Sequence, residues 1–483
     1  MLDPEFITAN IDQIGKKEAR VILREWISGS EDIKKRREAL DAYITLDSGK
    51  DFGFYEQLFL TDEDVGIQRI AGACLSDRYS TDKKLLALLQ FVLFEQKEIE
   101  PKVFAIELLD SINTKKARRI LRDYLKKLVK LVSKDKKGDF SKEISGMDSL
   151  SSSLSVPVSN EVIDIIINLT LAEYYEKACQ YNVTMMGGVI VQLRCEGASL
   201  MEISQIKGLD KLRHLVHLNL NRNRIERVNG LDHLKELRSL ILSENLIESL
   251  EYYEYLGNLR ELNLASNKIE EISPVNLKNL EKLYLDRNRI SEIKNLDELA
   301  GLEFLNLSHN HITEISGLNL LVNLKNLNLS FNNISSIRGL DRLEKLQVLH
   351  LSNNAIEEIK GLDNLLDLKV LTLSNNKIER IENLDNLENL KKLEISENRI
   401  QKISGLEHQL HLQELFLDRN QVKRIEGVHN LGSLIILFLE KNQIECFKLE
   451  DIQHLKSLNF IFLNENPLNL ESRALYLKKT RFP

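Results

Sequence analysis

Cysteine, proline and tryptophan are scarce in this chain of 483 residues, at four, six and one. Cys74, Cys179, Cys195 and Cys446 form no CxxC pair and no framework spacing, so no disulfide-stapled domain is expected. Scattered free thiols fit a reducing compartment, and the expected location is cytoplasmic. The start, MLDPEFITANIDQIGKK, has no basic segment leading into an apolar run, so no secretory signal is read there. No uninterrupted apolar stretch approaches the roughly 18 residues of a membrane span. Charge of one sign is not in excess either: the net charge is −7 with 29% charged residues, which sets no global preference for nucleic acid or anionic membrane. Catalytic signatures are missing as well, with no GxxxxGK(S/T), no GxGxxG opening a helix, no HExxH and no GxSxG. All ten histidines fall after residue 189. His309 and His311 flank Asn310, and His350 would neighbour His309 across two strands, but no cysteine or carboxylate cluster accompanies them. They are read as surface residues. No enzyme, metal or cofactor is expected.

What the chain has in abundance is regularity. Twelve asparagines from Asn223 to Asn466 each close a copy of LxxLxLxxN, the first through Leu215, Leu218 and Leu220, the last through Leu458, Ile461 and Leu463. The step between asparagines is 22 residues, except 21 from Asn267 to Asn288 and 24 from Asn442 to Asn466. Of the 36 apolar slots, all but Ile395 and Ile461 are leucine. Leu-x-Leu has the period of a strand, so both leucines share one face and the middle residue takes the other. Each unit is too small to close a core alone, and stacking the units buries a continuous leucine column.

The asparagines read as structural, because a carboxamide both donates and accepts and can satisfy the backbone where the chain leaves the strand. Gly208, Gly230, Asn295, Gly317, Gly339, Gly361, Asn383, Gly405 and Gly427 recur in a second slot. Glycine and asparagine tolerate a left-handed backbone, so positive φ is predicted there. A unit this short leaves no room for a full return helix, and short turns of 3₁₀ type are expected on the far side.

Residues 1–132 read as helical and carry a looser repeat. Segments Glu31–Leu46, Glu63–Leu75 and Glu98–Ile112 align with Ala39, Ala71 and Ala105 in register, 32 and 34 residues apart. This resembles HEAT-like helical repeats. Residues 133–160 are serine-rich and read as a flexible linker, and 161–188 as a capping helix. The repeats occupy 189–466, opening on an atypical unit with Leu193, Cys195, Ala198, Leu200 and Ile203. Pro467 follows the last asparagine, and 467–483 read as a C-terminal cap.

The pattern LxxLxLxxNxIxxIxGL at period 22 resembles the leucine-rich repeat subfamily typified by the regulatory subunit of eukaryotic protein phosphatase 1. Internalin-type surface proteins share it, although the start of this chain does not read as a secretion signal. The resemblance implies an α/β repeat solenoid, a horseshoe with a parallel β-sheet on its concave face, preceded here by the all-α, HEAT-like domain. It also implies a binding role.

In such a fold two columns point into the concave face. The middle slot of Leu-x-Leu runs from Asn219 to Thr372, Glu394, Phe416, Phe438 and Phe462; the slot two residues earlier runs from His217 to Val348, Val370, Lys392, Glu414, Ile436 and Phe460. The amino-terminal half is polar and rich in asparagine. The last repeats gather Phe416, Ile436, Phe438, Phe460 and Phe462, rimmed by Glu394, Glu414, Asp418, Arg419, Glu440 and Lys441. An aromatic patch of this size marks a protein-binding site, unless the C-terminal segment or the helical domain covers it. A second candidate is the basic amphipathic segment 113–137, with eleven Lys/Arg against two Asp. Lys115, Lys116, Arg118, Arg119, Arg122, Lys126, Lys127 and Lys130 would meet nucleic acid or an anionic membrane, or else form a solvated face of a packed helix. The expectation is a non-enzymatic interaction scaffold whose partner binds the concave face. A regulatory subunit of an enzyme such as a Ser/Thr phosphatase, and a nucleic-acid or membrane-surface adaptor, are the alternatives.

Overall fold

The computed structural model describes residues 3–47, 49, 51–135, 160–251 and 253–479. The chain divides into two compact units, Met1–Gln192 with Ile206–Leu212, and Leu193–Gln205 with Arg213–Pro483. Most of the serine-rich stretch expected as a linker, 136–159, lies outside the described residues.

The first unit is helical. Its helices are α1 (Pro4–Ala9), α2 (Ile11–Ile14), α3 (Lys16–Gly29), α4 (Ile33–Leu46), α5 (Phe52–Thr61), α6 (Val65–Tyr79), α7 (Lys83–Glu95), α8 (Ile99–Ile112), α9 (Lys115–Asp135) and α10 (Asn160–Lys177). Helix α3 packs on α4, α5 on α6 and α7 on α8, while α4, α6 and α8 touch in turn. Ala39, Ala71 and Ala105, the aligned small residues, are fully buried on those three helices. Asp32, Asp64 and Asp82 cap α4, α6 and α7, accepting from the backbone N–H of Lys35, Ile67 and Lys84. Asp47, just past α4, has a fully buried side chain that accepts from Arg20 at 3.1 Å, Arg78 at 2.8 Å and Tyr55 at 3.1 Å. A buried carboxylate survives only with such partners, and this one ties α3, α5 and α6 together.

Helix α10 packs against α8 and α9. Tyr175 donates to the Lys207 carbonyl at 2.7 Å, and Leu171 occupies the space where Gly208 has no side chain. The segment 161–188 is not helical to its end. Strands β1 (Asn182–Met186) and β2 (Val189–Arg194) form a hairpin around Gly187 and Gly188, with φ of 58° and 82°. A Gly-Gly pair between alternating residues is a hairpin signal, and the helical reading overran it.

In the second unit each leucine repeat yields one short strand: β3 (His217–Asn219), β4 (Ser239–Ile241), β5 (Glu261–Asn263), β6 (Lys282–Tyr284), β7 (Phe304–Asn306), β8 (Asn326–Asn328), β9 (Val348–His350), β10 (Val370–Thr372), β11 (Lys392–Glu394), β12 (Glu414–Phe416), β13 (Ile436–Phe438) and β14 (Phe460–Phe462). They pair in parallel, each with its neighbours in sequence, and equivalent residues lie opposite one another. The Leu-x-Leu leucines on either side of the strand exit are buried throughout.

One asparagine per repeat completes the polar half of this core. Asn332 donates through Nδ2 to the carbonyls of Leu307 (3.0 Å), Leu329 (3.0 Å) and Ser330 (3.3 Å), and Oδ1 accepts from the Ile312 N–H at 3.0 Å. The same four bonds recur from Asn223 to Asn442, so each carboxamide bridges its own repeat to the previous one. Residues just before these asparagines adopt positive φ, from Arg222 (58°) through Phe331 (57°) to Glu465 (56°). Non-glycine residues hide that turn from a sequence reading. The slot predicted to need positive φ does so at all nine positions, for example Gly339 at 70° and Asn383 at 58°. Two further facts explain its composition. A Cβ on Gly339 would lie 2.7 Å from the Ile315 carbonyl of the previous repeat. Where asparagine fills the slot, it donates to the equivalent carbonyl, Asn295 to Ile272 and Asn383 to Ile359, both at 2.7 Å.

The far side is leaner than the 3₁₀ helices expected. Isolated turns such as Leu234 N–H to Leu231 and Leu237 N–H to Leu234 make up most of it. Among the described residues of this unit, 3₁₀ helix occurs at Ile203–Gln205 and Leu449–Asp451. A leucine every third residue closes each turn without needing a continuous bond series. At the C-terminus, α11 (Leu470–Lys479) serves the last strand: Tyr476 Oη accepts from Leu463 N–H at 3.2 Å and Ser472 Oγ from Phe447 N–H at 2.8 Å.

Substitutions at two positions separate these roles in urea unfolding. Asn332→Ala leaves the Ile312 N–H unpaired, while the Leu307 and Leu329 carbonyls keep Asn310 and Asn354 as donors, and it is expected to cost about 2 kcal/mol, at roughly 1–3 kcal/mol per buried orphan. Gly339→Ala is expected to cost about 2 kcal/mol through left-handed strain and close approach, and Gly339→Asn less than half of that.

Candidate functional site

Strand pairing brings the aromatic residues of the last three repeats into one stack. Phe416 lies opposite Phe438 and Phe438 opposite Phe462, with ring centroids 4.9 and 4.1 Å apart and planes within 16° and 11°. These separations follow from the strand spacing of roughly 4.8 Å. The three rings are half-buried by one another, Ile436 lies opposite Phe460, and Phe460 is 55% exposed.

The charged residues named with this patch fall into two groups. Lys392 lies against the stack, its Nζ 4.8 Å from the Phe416 centroid, and pairs with Glu394 at 3.2 Å and Glu414 at 4.0 Å. Asp418 accepts a hydrogen bond from the Ser396 hydroxyl, and Glu440 accepts from Asn464 Nδ2 at 2.6 Å. Arg419 and Lys441 belong to the exposed turn beyond the strand, where they pair with Glu397 (2.7 Å) and Glu465 (3.2 Å). Val348 and Val370 continue the Lys392 column toward the middle of the sheet and take no part in the phenyl stack.

The column irregularities contain a second aromatic cluster that the sequence reading passed over. Tyr284 and Phe304, on adjacent strands in different slots, lie 4.8 Å apart. Beside them Asn306 Nδ2 donates to Asp286 at 3.0 Å, and burial pushes the Asp286 carboxyl above its ordinary pKa. Two aromatics breaking an asparagine-rich stretch were the available signal.

The histidines are engaged with protein groups. His309 stacks on Phe331, with centroids 4.0 Å apart and planes within 10°, and His350 shares a 3.0 Å hydrogen bond with Thr372 Oγ1. Among the described residues no group of three or more His, Cys, Asp or Glu is placed to hold a metal ion.

The basic segment forms α9. Its apolar stripe, Ala117, Ile120, Leu121, Tyr124, Leu125 and Leu128, is buried against α7, α8 and α10. Lys127 donates to the Phe94 carbonyl at 3.0 Å, Arg118 to Asn113 at 2.8 Å, and Arg119 and Arg122 flank Asp123. Lys115, Lys116, Arg119, Lys126 and Lys130 remain exposed. No helix among the described residues is long and apolar enough to cross a membrane.

Comparison with known proteins agrees with this geometry. A family described as leucine rich repeats in two copies matches residues 257–298, 300–342, 322–364, 344–386 and 366–408. The second unit is a leucine-rich-repeat solenoid. An internalin, InlF, from Listeria monocytogenes str. 4b F2365 has a similar structure, at 29% identity and a TM-score of 0.56, over 64% of this chain and 92% of that one. A leucine-rich repeat protein of Leptospira interrogans is similar at 26% identity and a TM-score of 0.50, over 58% of this chain and 80% of its own. The leucine-rich repeat domain of APL1, at 22% identity and a TM-score of 0.51 over 60% of this chain and 77% of its own, shares the fold. No curated protein matches the chain.

On the leucine-rich-repeat face, His350 gives a readable pH signature near neutrality. Burial, the largest effect, lowers the His350 pKa below its ordinary 6.5. The unfolded chain therefore binds a proton more readily than the folded one, and stability is full above about pH 6.5 and falls as pH drops below it. His350→Asn is expected to flatten unfolding free energy against pH in that window, measured by urea titration at several pH values.

Proposed function

We propose that this protein is a non-enzymatic interaction scaffold that binds a protein partner on the concave sheet face of its leucine-rich repeats. The observation that carries the reading is the stack of Phe416, Phe438 and Phe462 beside Ile436 and the exposed Phe460. Aromatic side chains held in fixed positions on an open sheet lose little entropy on binding, and clusters of them supply most of the energy at protein interfaces. Val348, Val370, Lys392, Glu394, Glu414, Asp418 and Arg419 would line or rim that surface. Regulation of an enzyme such as a Ser/Thr phosphatase is a narrower form of the same proposal and rests on the repeat pattern alone. The helical unit is read as HEAT-like on its successive helix pairs and in-register alanines, and the location as cytoplasmic on its free thiols.

The basic helix α9 supports a second reading as a polyanion contact through its exposed lysines and arginines. Its apolar stripe is used in packing, which leaves charge alone for such binding. Steep salt dependence of binding to RNA, DNA or acidic liposomes is the result that reading requires.

The docking proposal is tested with Phe438→Asp/Phe462→Asp in the full chain. Loss of partner capture with an unchanged thermal midpoint is the expected outcome. A variant that keeps both its partners and its stability rules out the patch as the site.

A further inference from the structure

Because Phe416, Phe438 and Phe462 stack on one another, Phe438 has a ring on each face, Phe416 has Phe438 and the Lys392 ammonium, and Phe462 has Phe438 on one face. Apart from the end face of Phe462, what the stack offers is a row of ring edges. Edges of phenyl rings carry partial positive charge, so they suit an aliphatic side chain or the face of another aromatic, not a bare cation.

Two residues further along each strand, roughly 6.6 Å away, runs a polar column: Ser396, Asp418, Glu440 and Asn464. Asp418 and Glu440 are half-buried, and each accepts one hydrogen bond from a neutral neighbour. Among the described residues neither forms an ion pair, while the nearby cations Arg419 and Lys441 are engaged with Glu397 and Glu465. On the inner columns of the last four repeats, Glu394, Glu414, Asp418 and Glu440 stand against Lys392 alone, a net charge of −3 from four acids and one base. The apolar strip is therefore bordered by carboxylates that lack a cationic partner.

We propose that the occupant of this face is a protein segment bearing an apolar, preferably aromatic, side chain with an arginine or lysine next to it. The apolar group lies across the ring edges, and the cation meets Asp418 and Glu440. The inference rests on the docking reading above and adds the chemistry of the partner. An acidic segment or a nucleic acid would meet like charge here.

The test is peptide display against the full chain, with Asp418→Asn/Glu440→Gln and Phe438→Asp/Phe462→Asp as parallel baits. The carboxamide pair keeps side-chain shape and can still accept the Ser396 and Asn464 bonds, and thermal unfolding of each bait verifies its fold. Wild type is expected to enrich peptides with Arg or Lys beside Phe, Tyr, Trp or Leu. A synthetic peptide of that class should bind the carboxamide bait about tenfold more weakly, and its affinity for wild type should fall with added salt. Enrichment of apolar peptides without basic residues overturns the cationic partner and leaves the docking face standing. So does unchanged affinity on the carboxamide bait combined with loss on the aspartate bait. Equal enrichment on the aspartate bait, or no enriched sequence at all, overturns the docking face itself.

Discussion

A strand laid beside its predecessor every 22 residues leaves backbone polar groups where the chain turns out of the sheet, beside a buried leucine core. The asparagine carboxamide answers that constraint at each repeat. Asn332 reaches Leu307 and Ile312 of the previous repeat as well as Leu329 and Ser330 of its own, so the bond that closes one turn also fastens it to the next. Stability is then shared between neighbours, as expected for a quasi-one-dimensional array. The glycine-or-asparagine slot completes the fit, since Gly339 lets one repeat approach the Ile315 carbonyl and Asn383 bonds the equivalent Ile359.

The same in-register stacking turns each column of the sequence into a ladder in space. A residue type repeated in one slot meets itself at the strand spacing of roughly 4.8 Å, which is also a favourable distance for stacked aromatic rings. Three phenylalanines at that period become a rigid stack without further design. The asparagines of the core and the phenylalanines of the face thus obey one geometry, and only the environment separates scaffold from site. Carboxylates one column over, held by Ser396 and Asn464, give the face its polarity.

Different elements were legible to different degrees. Leu-x-Leu alternation, the asparagine spacing and the glycine slot carry direct steric or hydrogen-bonding meaning, and strands, turns and positive φ followed from them. The hairpin at Gly187–Gly188 was written in the chain as well but was overrun by the apolar helix before it. The left-handed residues preceding each asparagine were hidden, because Arg222 and Phe331 carry no glycine-like mark. The buried Asp47 with Arg20, Arg78 and Tyr55 joins residues from four helical segments, and no local pattern announces it.

By itself the sequence determined the repeat, its length, its leucine core and the slots that face outward, because periodicity is a local property and stacking copies is the way such units bury their leucines. It also put the phenylalanines in one column. Only the tertiary structure decided how those rings use one another's faces, which cations are already engaged, and that Asp418 and Glu440 form no ion pair among the described residues. Those are relations between repeats across the sheet, set by strand register and side-chain conformation, and a residue read along its own chain does not reveal them.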